Sequence, residues 1–90
     1  MTTAMRKVER VQTGVRLEKR ILKVLKAVAA HHEIGLGDLL EGIVLHSFEG
    51  RAPFDPETLD FIATMRHAYR LDLTAADSHR MADDRSASGG

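Results

Sequence analysis

The sequence predicts a mainly α-helical chain that opens with one strand, continues through two core helices and adds a C-terminal helix. Three observations predict this. "RVQTGVRL", residues 10–17, alternates polar and apolar residues, the two-residue period of a strand. From Ile21 onward the apolar residues return at helical spacing. No second convincing strand follows in the 90 residues. A single strand cannot satisfy its own backbone, so it is expected to pair, antiparallel, with the same strand of a second copy across a two-fold axis.

Residues 1–9 are polar and basic and read as a flexible arm. Residues 10–48 form the expected core. In its strand Thr13, Val15 and Leu17 point one way, and Gln12, Gly14 and Arg16 the other. Residues 19–31 read as an amphipathic helix. Ile21, Leu22, Val24, Leu25, Val28 and Ala29 form its stripe, opposite Lys19, Arg20, Lys23 and Lys26. A second helix is expected from Gly37 or Asp38 to about Phe48. It is apolar nearly all round, the mark of a buried helix, which places it between subunits. The expected dimer core is Val15, Leu17, Ile21, Leu25, Leu40, Ile43 and Val44.

Residues 49–81 read as a helical extension. "EGRAPF" is a loop. "DPET" then starts a helix, with Asp55 as N-cap and Pro56 at the first helical position. That helix is expected to end near Tyr69 or Arg70. "TAAD", Thr74 to Asp77, has the spacing of a capping box and predicts a further helical turn. Residues 82–90, ending "DDRSASGG", are composed like a disordered tail.

Composition narrows the function. The absence of cysteine excludes disulfides, cysteine-ligated zinc and thiol catalysis. A chain this short, with no staple, is expected to gain core by oligomerising. No apolar run approaches the roughly 18–20 residues that span a bilayer, and the N-terminus lacks the apolar centre of a secretory signal. A soluble, cytoplasmic protein with no membrane partner is expected. The net charge is zero, but it is segregated. Residues 1–26 hold eight Lys/Arg against Glu9 and Glu18, a balance of +6; residues 27–90 hold five against eleven acids, a balance of −6. Such asymmetry suggests a basic surface for an anionic partner.

"VQTGVRLEKRILKVLKAVAAHHEIGLGDLLEGIVL" resembles the Arc/MetJ-type ribbon-helix-helix family of DNA-binding proteins. The shared features run from Val11 to about Leu45: an alternating strand ending in "VRL", a helix carrying "ILKVLKAVA", a "IGLGDLL" turn into the next helix, and "GIVL". The resemblance implies a homodimer bound to double-stranded DNA. Its two-stranded ribbon would lie in the major groove as a sequence-specific regulator, most simply a repressor. The base readers would be Gln12, Gly14 and Arg16. Gly14 departs from the pattern, having no side chain to read with. The amides of Gly35, Leu36, Gly37 and Asp38, at the start of the second helix, would hold phosphate. Many family members carry hydroxyl residues where this chain has Gly35 and Gly37. Arg6, Lys7, Arg10, Lys19 and Arg20 would contact flanking phosphates.

The five histidines lack the spacing of a metal site, and His31 and His32, being adjacent, point apart on a helix. No metal or other cofactor is expected. There is no nucleophile pattern, no phosphate loop and no evident carboxylate pair, so an enzyme is not expected. The C-terminal helix either packs back on the core or binds another protein, through Phe48, Phe54, Phe61, Met65 and Tyr69. Two further functions therefore stand beside DNA regulation: an antitoxin-like protein whose C-terminal part binds a protein partner, and an interaction module of this fold without DNA binding.

Overall fold

The structure, a computed structural model, describes residues 5–84. Residues 1–4 of the expected arm and 85–90 of the expected tail lie outside the described residues. Three helices follow in order: α1 (Lys19–His31), α2 (Leu36–Phe48) and α3 (Pro56–Ala68). A 3₁₀ turn comes after them at Ala75–Asp77.

Expectation and structure part at the strand. Residues 5–18 carry no helix, and among the described residues no strand or bridge occurs. A strand exists only as one half of a pair, and among the described residues no second segment supplies the other half. The alternation of Val11, Thr13, Val15 and Leu17 also sorts against no core. Val11 is 81% exposed and Val15 71%, and Gln12, Gly14 and Arg16 are exposed as well. The mainly α class holds; the strand-led ribbon-helix-helix architecture, its two-fold ribbon and ribbon insertion in a groove do not.

What forms instead is an arrangement centred on α1, against which α2 and α3 each pack. The helical stripe of α1 supplies Val24, Val28 and Ala29 to the core, and α2 supplies Leu39. Leu25, Ile43, Phe54, Phe61, Ile62, Met65 and Leu71 pack around these. Of the expected dimer core, Ile21, Leu25, Leu40 and Ile43 are half-buried, while Val15, Leu17 and Val44 are exposed. The expectation of a buried α2 is not met within one chain: Leu39 is its only buried residue. The reason is geometric. Helix α2 meets only α1, and its far side, with Val44, Leu45 and Phe48, faces solvent.

The helix starts are capped as local chemistry dictates. Asp55 accepts the Thr58 amide at 2.8 Å, with Pro56 in the first turn of α3. Thr74 and Asp77 form the expected capping box. Glu18, an uncommon N-cap, accepts the amides of Arg20 (2.8 Å) and Ile21 (3.0 Å) to start α1. Gly35 starts α2 with no side-chain cap.

All three helices stop by one device. After α1, the Ile34 and Glu33 amides turn back to the carbonyls of Ala29 and Ala30. After α2, Arg51 and Gly50 bond His46 and Ser47. After α3, Leu71 and Arg70 bond Arg66 and His67. This is the paired Schellman pattern, which needs a left-handed residue between. Gly50 (φ 69°) suits it, but Glu33 (φ 56°) and Arg70 (φ 57°) carry a Cβ there. Glu33→Gly is therefore expected to stabilise the fold by about 0.5–1 kcal/mol, relief of Cβ strain outweighing the added freedom of the unfolded chain. Thermal melts at fixed protein concentration read it, and an unchanged or lower midpoint would refute it.

Candidate nucleic-acid interface

Of the eight Lys/Arg in residues 1–26, seven are exposed and Arg20 is half-buried. They lie on the extended segment and on the outer side of α1, because the inner stripe of α1 is taken by the core.

Three of the four arginines among them are engaged, and among the described residues no ion pair engages Arg6. Nε and Nη2 of Arg10 donate to the two carboxylate oxygens of Glu41 at 3.0 and 2.9 Å, a two-pronged contact, with an oxygen of Asp38 at 3.8 Å. Hydrogen bonding from Arg10 holds the Glu41 carboxyl below its ordinary range. Arg16 donates to Asp83 at 2.5 Å. Arg20 donates to Glu18 (3.0 Å), to the Arg70 carbonyl (2.9 Å) and to Asp72 (3.2 Å), tying the start of α1 to the chain beyond α3. Burial acts to raise the Glu18 carboxyl, but the Ile21 amide and the Arg20 side chain and amide outweigh it and hold it low. The lysines differ. Among the described residues no ion pair engages Lys7, Lys19, Lys23 or Lys26, and Lys23 sits 5.7 Å from the centre of the Tyr69 ring.

Two of the expected phosphate-contacting groups come together. Arg10 lies against Asp38 and Glu41, beside the start of α2, where Gly35, Leu36, Gly37 and Asp38 present first-turn amides that no side chain caps. Lys19 and Arg20 are elsewhere, at the start of α1. Gln12 and Gly14 make no side-chain contact that fixes them, and Gly14 has open space around it.

The expected partner-binding residues divide. Phe54, Phe61 and Met65 pack on the core. Phe61 stacks on His31, ring centres 4.0 Å apart and planes 11° apart. Tyr69 is 38% exposed and Phe48 81%. His32 meets the hydroxyl of the buried Thr58 at 3.2 Å, joining the end of α1 to the first turn of α3. Among the described residues no group of three or more metal-ligating side chains is assembled, and no helix is long and apolar enough to cross a membrane.

Sequence reasoning missed the capping role of Glu18, the arginine–carboxylate pairs and the exposed Leu45. Only the last had a signal, the all-round apolar character of α2. Compared with known proteins, the chain matches no family model, no curated protein and no solved structure. The resemblance described above therefore rests on the quoted residues alone.

Proposed function

We propose that this protein binds double-stranded DNA as a homodimer and acts in transcriptional control. The observation that carries the reading is the segregation of charge: a balance of +6 over residues 1–26, set on an exposed extended segment and the outer side of α1. A polyanion binds such a surface by releasing its counterions. Arg6, Lys7 and Lys19 supply sequence-independent phosphate contacts, while Gln12 and Arg16 can reach base edges.

The homodimer is supported by the incomplete core. Among the described residues only Val24, Val28, Ala29 and Leu39 are buried apolar side chains. The apolar far side of α2, with Val44, Leu45 and Phe48, is the surface a second copy would cover.

Fluorescence anisotropy on labelled duplexes across a salt series tests the DNA half. Affinity is expected to fall steeply with salt. Changing both Lys7 and Lys19 to alanine should weaken binding about tenfold and reduce the log–log salt slope by about 2. A folded protein with no affinity at low salt would overturn the reading.

A further inference from the structure

We infer that Glu41 and Asp83 act as an internal substitute for phosphate: they occupy Arg10 and Arg16, and DNA binds by displacing them. This rests on the DNA-binding reading above.

The contact at Arg10 has the form that phosphate recognition takes. Two guanidinium donors meet two oxygens of Glu41 at 3.0 and 2.9 Å, and Asp38 adds a second negative charge at 3.8 Å. Arg16 is met by Asp83, 67 positions away in sequence. These carboxylates come from two separate places, the first turns of α2 and the chain after the 3₁₀ turn. Both reach back to the segment that carries the positive charge. The pairing is selective by position, since residues 10 and 16 are capped while, among the described residues, no ion pair engages Arg6, Lys7, Lys19 or Lys26.

The strength of the pairs suits a tuning contact rather than a lock. Side-chain exposure is 62% for Arg10 and 48% for Glu41, and 87% and 71% for Arg16 and Asp83. Pairs this wet are weak and yield to competition. The open lysines can make the first, salt-sensitive encounter with the duplex. The arginines then exchange a carboxylate for a phosphate or a base edge. In this way the acidic half of the chain lowers non-specific affinity, and a site must offer enough contacts to open both pairs.

The experiment uses the full chain and a labelled duplex at near-physiological salt, with helicity checked by circular dichroism. Glu41→Gln keeps the shape and removes the charge; it is expected to tighten binding about threefold, because Arg10 reaches its phosphate without first breaking a pair. Adding Asp83→Asn should bring the gain to about tenfold. Asp60→Asn, an exposed acid of α3 outside any ion pair among the described residues, is the charge-matched control and should change affinity far less. Equal gains from Glu41→Gln and Asp60→Asn would reduce the effect to net charge and overturn the inference. So would a wild-type protein that binds DNA and is unchanged by Glu41→Gln, with the DNA-binding reading left standing. If neither wild type nor any variant binds, both fall.

Discussion

Val28→Ala is expected to destabilise the fold by about 2–3 kcal/mol and to lower the melting midpoint by about 10–20 °C. Val28 is 1% exposed and, among the described residues, is the only large side chain so fully enclosed. Two methyl groups leave a site walled by helices on both sides, so the transfer loss is joined by a cavity that the backbone cannot close. The fraction lost is large because the core is thin: Val24, Ala29 and Leu39 are its only other buried apolar members among the described residues. A chain of this length has about 5–13 kcal/mol in all. Val15→Ala, at a position 71% exposed, should shift the midpoint little. Melts at one protein concentration decide it. A loss below about 1 kcal/mol at Val28 would mean that the helices do not converge on α1.

Phe48→Asp is expected to weaken self-association by about 10²–10⁴-fold. Phe48 is 81% exposed on α2, with Leu45 61% exposed beside it. Burying such a side chain contributes about 1.5–3 kcal/mol, and a two-fold interface uses each residue twice. The doubled loss, about 3–6 kcal/mol, converts to that change in dissociation constant. Sedimentation equilibrium of wild type and variant reads it directly. A wild type that stays monomeric at micromolar concentration would remove the homodimer from the proposed function. The same face would then await a different protein.

Much of the helical content was legible because it is decided within a few residues. Asp55, Pro56 and Thr58 start α3 in the chain's own local chemistry, and the Thr74–Asp77 box forms where the spacing places it. Helix α1 spans the residues its apolar stripe marks. Helix α2 begins at Leu36, slightly before the expected Gly37 or Asp38, because its N-cap Gly35 has no side chain to announce it. The strand failed for a different reason. Alternation from Val11 to Leu17 states which face would be buried if a partner were present, and supplies no partner. The candidate interface was legible only as charge. That Arg10 meets Glu41, 31 positions on, depends on how α2 lies against α1, and no local pattern carries it. The ends of α1 and α3 fall at or within two residues of where the apolar stripes stop, but the left-handed caps at Glu33 and Arg70 carry no sequence signal, since such a cap is sought at glycine.

Those helix ends have a kinetic consequence. Each stop is written in hydrogen bonds that span five residues or fewer, so no distant contact has to form before a helix knows where to end. With α1 next to α2 in sequence, and α3 one short loop beyond, little loop entropy opposes assembly of the chain. Chains dominated by such local contacts fold in microseconds to milliseconds. In a homodimer the slow event is then the meeting of two already folded copies, and its rate follows protein concentration.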